Sequence, residues 1–205
     1  MEITRKSSSN FTRIFDILLY QQEKYPNSKA LNACVEGNWK GYSIGEVRSR
    51  VEAISGWLIS RGFKKDDKII FVPNSGSPEW VMLDFACQQV GIIVVPIHPT
   101  STAQDIELIF DETEPKLCIA ADVTLYTKVL SVADKVNASL EVYHLEFSAD
   151  GYFDGMLAPT PTSEVLSMLT DIKLKIKEQD VFTILYTSGS SGIPKGVVLT
   201  HQNVI

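Results

Sequence analysis

Short apolar runs alternate with longer amphipathic segments along most of this chain. The apolar runs read DKIIFVPN at 67–74, IIVVPI at 92–97, KLCIAA at 116–121 and EVYHLE at 141–146. They carry little polar alternation, which is typical of strands that are buried on both faces. Strands that alternate with helices of about ten to fifteen residues indicate β-α-β units. We therefore expect an α/β fold in which parallel sheet layers are covered by helices.

Capping signals mark the boundaries of the intervening helices. Ser43 and Glu46 form an S-x-x-E capping box, and Ser77 followed by Pro78 is a typical N-cap and first-turn pair. Gly91 is placed to end the helix that Ser77 begins. Further helices are predicted at 10–25, from 101 or 102 to 113, and at 122–136.

Three stretches depart from this alternation. Residues 148–164, which end in APTPTSE, are predicted to form a loop or linker. KLKIK at 173–177 alternates with period two, which favours an amphipathic strand or a solvated sheet edge over a binding role for its lysines. Residues 39–42 are expected to be extended.

Composition excludes several classes of function. The 205 residues carry a formal net charge of −6 and no polybasic cluster, so neither nucleic acid nor an anionic membrane is an expected partner. No apolar run is long enough to span a bilayer, and residues 1–10 lack the apolar core of a secretory signal. We expect a cytoplasmic protein with no transmembrane segment.

The cysteines and histidines do not show the spacing of a metal site. Each cysteine has apolar neighbours in the sequence, which predicts buried, reduced thiols. No metal ligands are predicted among these six residues, which are Cys34, Cys87, Cys118, His98, His144 and His201.

The most unusual stretch is YTSGSSGIPKG at 186–196, which is dominated by hydroxyl side chains and glycines. Its glycines allow backbone conformations in which amide groups turn toward an anion. Its hydroxyls add donors, and Lys195 adds a mobile positive charge. Such a set of groups suits a polyphosphate, for which charge-assisted hydrogen bonds are strong.

Two common nucleotide-binding motifs do not fit this loop. The Walker A pattern would require glycine at Pro194 and a hydroxyl residue at Gly196. Gly189-x-x-Gly192 lacks the triplet spacing of the G-x-G-x-x-G dinucleotide pattern, and GVVLTH after the loop resembles a strand more than a helix. On composition alone, a flexible Ser/Gly-rich hairpin without a ligand remains an equal alternative.

The longer string YTSGSSGIPKGVVLTHQN resembles the phosphate-binding signature of the adenylate-forming enzymes, the acyl-CoA synthetase and luciferase superfamily. Their pattern is close to Y-T-S-G-[ST]-T-G-x-P-K-G followed by a short strand and H-x-N. The one departure is Ser191, where threonine is usual. The matching residues are Tyr186, Thr187, Ser188, Gly189, Ser190, Gly192, Pro194, Lys195, Gly196, His201 and Asn203.

The resemblance extends over nearly the whole chain. The segment NSGSPEWVMLDFACQQVGIIVVPIHPT at 74–100 is most like the long-chain fatty acyl-CoA ligases. Within it, Glu79 and Trp80 are interpreted as helix-start and core residues, and His98 is assigned no role. The resemblance implies that residues 1–205 form part of an N-terminal AMP-binding domain.

The resemblance also implies an activity and roles for the loop residues. Such enzymes join a carboxylate to ATP, release pyrophosphate and pass the acyl group to coenzyme A. The hydroxyls would bind the β- and γ-phosphates, two glycines would allow close approach, and Lys195, helped by Mg²⁺, would offset charge on the pyrophosphate. The implied phosphate-binding residues are Thr187, Ser188, Gly189, Ser190, Ser191, Gly192 and Lys195.

The expected partners are therefore ATP, a fatty acid and coenzyme A, with a homodimer as a candidate assembly. The resemblance implies an N-terminal fragment that is inactive alone, because no complete catalytic set occurs up to residue 205. A fatty-acyl-AMP ligase that loads a carrier protein, an adenylation domain for amino or aryl acids, and a non-catalytic nucleotide-binding homologue remain alternatives.

Overall fold

The computed structural model describes residues 11–35, 37–74, 76–136, 139–147, 150–188 and 192–205. Its centre is a six-stranded sheet with the order β6-β5-β3-β4-β7-β8. The first five of these strands are parallel, and β8 runs antiparallel to β7. The strands are β3 (Lys68–Val72), β4 (Ile93–Pro96), β5 (Leu117–Ala120), β6 (Glu141–His144), β7 (Val181–Ser188) and β8 (Pro194–Thr200). A separate antiparallel hairpin consists of β1 (Leu31–Val35) and β2 (Asn38–Tyr42).

Helices lie on both faces of the sheet. They are α1 (Ile17–Lys24), α2 (Ile44–Ser60), α3 (Pro78–Val90), α4 (Ala103–Thr113), α5 (Val123–Val136) and α6 (Ser163–Lys175). Short 3₁₀ helices occur at Ile14–Asp16, Asp154–Leu157 and His201–Asn203. Within the ranges described above, no helix has both the length and the apolar character needed to cross a membrane.

Two apolar clusters cover the two faces of the sheet, and β3 contributes alternately to both. Ile69 and Phe71 face α2 and α3, whereas Ile70 and Val72 face α4 and α5. All four side chains are almost completely buried. The predicted α/β fold with a parallel sheet under helices on both faces is therefore confirmed.

The predicted helix caps are also present. The Ser43 Oγ accepts from the Glu46 amide at 3.2 Å, and the Ser43 amide donates to Glu46 Oε2 at 2.7 Å. The Ser77 Oγ accepts from the amide of the third following residue, Trp80, at 3.2 Å. Gly91 has φ +80°, and a Cβ there would lie 3.1 Å from Lys65 Cγ, so both the backbone angle and the space favour glycine.

The strand or sheet edge predicted for residues 173–177 is wrong, because α6 continues through Lys175. Thr162 caps this helix, with its Oγ1 accepting from the Val165 amide at 3.4 Å. Leu169 is buried in the apolar cluster that α2 and α3 share. The period-two pattern covers only five residues and coincides here with the last turn of α6. Such a short pattern cannot distinguish a strand from a helix.

The prediction of three buried cysteines is wrong at Cys34. Cys87 and Cys118 are buried, but Cys34 is exposed on β1. Its cross-strand neighbour is Trp39, which is also exposed. The hairpin β1-β2 is separate from the main sheet, so apolar sequence neighbours did not imply burial.

The predicted loop at 148–164 is described from residue 150 onward, and residues 148 and 149 lie outside the described ranges. It contains the 3₁₀ helix Asp154–Leu157, and its Phe153 is fully buried. The Phe153 ring packs edge-on against Trp57 of α2, with ring centroids 4.9 Å apart. This segment therefore contributes to the core beneath α2.

His201 joins the end of β8 to the first described residues. Its Nδ1 accepts from the Ile14 amide at 3.2 Å. Its ring stacks on Phe182 and meets Phe15 edge-on. Burial, assisted by the nearby charge of Arg13, lowers the pKa of His201 to about 4.

This pKa predicts that the free energy of unfolding falls as the pH is lowered from about 6.5 to about 4. The unfolded chain binds a proton at His201 in this range, whereas the folded chain does not. The contribution of His201 to this decrease in the free energy of unfolding is on the order of 2 kcal/mol. Urea unfolding of the wild-type chain and of His201→Asn at about pH 7.5 and about pH 4.5 measures it.

Asparagine is a suitable substitute because its side-chain oxygen can accept from Ile14 and does not titrate. Burial raises the pKa of Asp84 to about 6, which stabilises the folded state as pH falls, so the two proteins must be compared at each pH. Equal pH dependence in wild type and His201→Asn would contradict the assignment.

Candidate functional site

The candidate site lies where β4 and β7 end. These strands are parallel neighbours, so their carboxyl ends reach the same edge of the sheet. A cavity of about 420 Å³ opens there, between the turn after β4, the first turns of α4 and the β7-β8 hairpin. Its lining residues are Ile97, His98, Thr100, Ser101, Asp105, Ile109, Tyr186, Thr187, Gly192 and Pro194.

The β7-β8 hairpin brings two of the predicted phosphate-binding residues together. Thr187 is directly opposite Lys195 in the antiparallel register, and Ser188 is opposite Pro194. Directly opposite residues project from the same face of a hairpin. The Thr187 hydroxyl and the exposed Lys195 ammonium are therefore on one face, and Lys195 forms no ion pair with any described residue.

The structure accounts for only part of the predicted phosphate-binding loop. Gly192 has φ +77°, a left-handed conformation that favours glycine. The backbone of Ser188 ends β7. Gly189, Ser190 and Ser191 lie outside the described residues.

Tyr186 anchors the hairpin to α4. Its hydroxyl donates to Glu112 Oε2 at 2.7 Å. Its ring lies beside Gly196 on β8, where an added Cβ would be 3.2 Å from the tyrosine Cζ. Burial, followed by the contact with Glu112, raises the pKa of Tyr186, so the hydroxyl stays protonated and continues to donate. Sequence reasoning matched Tyr186 to a motif but gave it no function, and it missed Glu112, for which the sequence carries no signal.

The turn after β4 forms a fixed wall of the cavity. The Thr100 amide donates to His98 Nδ1 at 3.3 Å, and the Thr100 Oγ1 lies 2.7 Å from the same nitrogen. Lys128 of α5 donates to the Pro99 carbonyl at 2.9 Å. This hydrogen bond connects the turn to α5. His98, which was assigned no role, is exposed beside the cavity.

The described residues do not form a magnesium site by themselves. They contain no group of three or more metal-ligating side chains. The one carboxylate among the described residues that line the cavity, Asp105, is engaged by Thr102, which donates from its amide at 2.9 Å and its hydroxyl at 2.7 Å. Mg²⁺ in phosphate sites takes carboxylate and phosphate oxygens. The described lining of this cavity and the hairpin beside it can contribute hydroxyl and ammonium contacts to phosphates, but no carboxylate that lacks a partner.

Curated relatives share sequence with most of this chain. FadD15 of Mycobacterium bovis, a long-chain-fatty-acid–CoA ligase, is 29% identical over 171 residues, which are 83% of this chain and 28% of that protein. Long chain acyl-CoA synthetase 3 of Arabidopsis thaliana is 30% identical over 93% of this chain and 30% of its own length. The chain thus spans less than a third of the length of these two relatives.

Solved structures show the same fold. A fatty acyl-adenylate ligase from L. pneumophila, in complex with acyl adenylate and pyrophosphate, has a TM-score of 0.66 and 21% identity. The match covers 95% of this chain and 31% of that one. McyG A-PCP, complexed with phenylalanyl-adenylate, has a TM-score of 0.71 and 20% identity, over 96% of this chain and 34% of that one.

The family described as AMP-binding enzyme matches residues 18–205, which include every strand of both sheets and nearly all of the helical structure. The match includes the β7-β8 hairpin and the glycine- and hydroxyl-rich loop between its strands. The sequence match and the shared fold lead to the same conclusion. This chain belongs to the AMP-binding enzyme family.

Proposed function

We propose that the full-length protein activates a long-chain fatty acid with ATP and transfers the acyl group to coenzyme A. The observation that carries this proposal is the pairing of Thr187 with Lys195 across the β7-β8 hairpin, at the carboxyl edge of the parallel sheet. Support for the acyl substrate comes from the names of the curated relatives, which include long-chain-fatty-acid–CoA ligases of bacteria and animals.

In the proposed first step, a carboxylate oxygen of the fatty acid attacks the α-phosphorus of ATP. The bond between the α-phosphorus and the bridging oxygen breaks, and pyrophosphate leaves with the electron pair. Thr187 donates a hydrogen bond to a phosphate oxygen, and Lys195 places a positive charge beside the departing pyrophosphate. Charge that develops on a leaving group is stabilised most by groups held in position beforehand.

In the proposed second step, the thiol sulfur of coenzyme A attacks the acyl carbon and gives up its proton to solvent. The bond between the acyl carbon and the phosphate oxygen breaks, and AMP leaves with the electron pair. ATP binding is expected to bring Mg²⁺ with the nucleotide. We further propose a cytoplasmic location and retain the homodimer as a candidate assembly. A ligase that loads a carrier protein would share the first step and differ only in the acceptor.

Replacement of Lys195 tests the adenylation step. In ATP–pyrophosphate exchange by the full-length protein, with Mg²⁺ and carboxylic acids of graded chain length, exchange should be greatest with long acyl chains. Lys195→Ala should lower the exchange rate by about 10² to 10³, as loss of a charge-stabilising donor does in other enzymes. Lys177→Ala is the matched control, because Lys177 is exposed and precedes the other end of β7.

Full activity of Lys195→Ala would contradict the role of this residue. Absence of exchange with every acid, from a folded protein that still binds ATP, would instead leave a nucleotide-binding function. Addition of coenzyme A or of a carrier protein that bears a phosphopantetheine thiol then identifies the acyl acceptor.

The Tyr186–Glu112 hydrogen bond provides a separate test of how the hairpin is held. Tyr186→Phe should raise the KM for ATP by about tenfold, since a hydrogen bond to a charged group contributes about 1.5–3 kcal/mol and part of this positions the loop. Glu112→Ala should have a similar effect. The double variant should be no worse than either single variant, because both remove the same contact. Additive losses would show that the two residues act independently.

A further inference from the structure

A second cavity lies on the α2 and α3 side of the sheet, away from the candidate phosphate site. It has a volume of about 220 Å³ and is enclosed by the 3₁₀ helix Ile14–Asp16, α1, α2 and α6. We call it the Lys173 cavity. Its lining residues are Arg13, Phe15, Asp16, Leu18, Leu19, Arg48, Glu52, Gln89, Thr170, Lys173 and Leu174.

The charges of this cavity do not cancel. Arg13 binds Asp16 through two hydrogen bonds of 2.9 and 2.8 Å. Arg48 lies 3.5 Å from Glu52. Two arginines and two carboxylates thus neutralise one another, and the ammonium of Lys173 leaves a net charge of about +1.

Arg13 is also committed to the end of α6. Its guanidinium donates to the backbone carbonyl of Lys173 and, at 3.2 Å, to that of Ile176. Arg48 donates in addition to Gln22 Oε1. Both guanidinium groups are therefore occupied by groups of the protein.

Of the three cations that line the cavity, Lys173 is the one whose hydrogen-bonding groups are not used by the described residues. Among the described residues its ammonium has no hydrogen-bond acceptor and no ion-pair partner within 4 Å. Burial of the side chain lowers its pKa, and the nearby charges of Arg48 and Arg13 act in the same direction, against Glu52. Lys173 is partly exposed, and an anion beside its ammonium would add a charge-assisted hydrogen bond that the described residues do not supply.

Apolar side chains line the same cavity as Lys173. Leu18 is 4% exposed and forms part of the wall, whereas Leu19 and Leu174 are 48% and 75% exposed. Exposed leucines from α1 and α6 that line one cavity offer apolar surface to a ligand. The cavity therefore combines one available positive charge with an apolar surface.

The Lys173 cavity is far from the loop between β7 and β8. Arg13 contacts Ile176, which precedes β7, and Ile14 contacts His201, which follows β8. The loop lies at the opposite end of both strands. The eight residues of β7 separate the two sites by about 25 Å, at about 3.3 Å per residue.

We propose that the Lys173 cavity binds an amphipathic monocarboxylate, with its carboxylate on the Lys173 ammonium and its apolar chain against Leu18, Leu19 and Leu174. One available cation matches a singly charged anion better than a polyphosphate. The apolar surface adds affinity for a hydrocarbon chain that a small inorganic anion lacks. This site is separate from the adenylation site and does not depend on the proposed function.

A photoreactive octanoate that carries a diazirine on its chain tests the proposal in the full-length protein. After irradiation, peptide mass spectrometry locates the labelled residues. Label is expected on the peptides of α1 and α6 that contain Leu19 and Leu174. An excess of octanoate should reduce this label, and an equal excess of octanol should not, because octanol lacks the charge.

Two lysine variants separate this site from general hydrophobic labelling. Lys173→Met, which keeps much of the apolar stem and removes the charge, should reduce the α1 and α6 label by at least about tenfold, the effect of 1.4 kcal/mol in binding. Lys175→Met should retain it, because Lys175 is exposed and does not line the cavity. Lys173→Arg keeps the charge and should retain most of the label on α1 and α6. If Lys173→Met does not fold, the arginine variant still tests whether a positive charge is sufficient for labelling.

Several results would overturn the proposal. These are no label on α1 or α6 in the wild-type protein, equal label in Lys173→Met, and equal competition by octanol. Label elsewhere in the protein reports other acyl sites and is expected to be unaffected by Lys173→Met. Because labelling needs no ATP, failure of this site and failure of the adenylation activity would be observed separately.

Discussion

Burial of β3 on both faces is the constraint on which the rest of the structure depends. A strand of apolar residues without alternation is stable only when helices cover both sides of the sheet. Ile69 and Phe71 require α2 and α3, and Ile70 and Val72 require α4 and α5. Because β3, β4, β5 and β7 are parallel, their carboxyl ends lie at one edge of the sheet. The edge that holds the candidate site follows from the way the centre of the sheet is buried.

The backbone pairing that joins the candidate site to the rest of the sheet is short. Among the described residues, β4 and β7 are paired at one position of their backbone ladder, Val94 with Thr183. The Thr183 hydroxyl donates to the Val94 carbonyl at 2.8 Å and supplements that ladder. Toward the other end of β7, the Tyr186 hydroxyl reaches Glu112 of α4. The orientation of the hairpin therefore rests on side-chain hydrogen bonds as well as on the backbone.

Much of the fold could be predicted because its signals are local. The apolar run of β3, the capping box at Ser43 and the glycine after α3 each act within a few residues, and each is present in the structure. The end of α6 could not be predicted from KLKIK, because five residues fit both a strand and a helical turn. The exposure of Cys34 depends on which strands pair, which the sequence near it does not encode. The hydrogen bond between Tyr186 and Glu112 could not be predicted either. These residues are 74 positions apart, and no sequence pattern links them.

The hydrogen bond between Ile14 and His201 also has a consequence for folding order. It joins residues 187 positions apart and lies beside the contact of Arg13 with Ile176. During synthesis, α1 and α2 leave the ribosome well before the strand pair that completes this junction. The N-terminal segment must therefore remain without its partner until translation has passed residue 201. High sequence separation of this kind slows folding, because the long intervening chain must be closed before the contact can form.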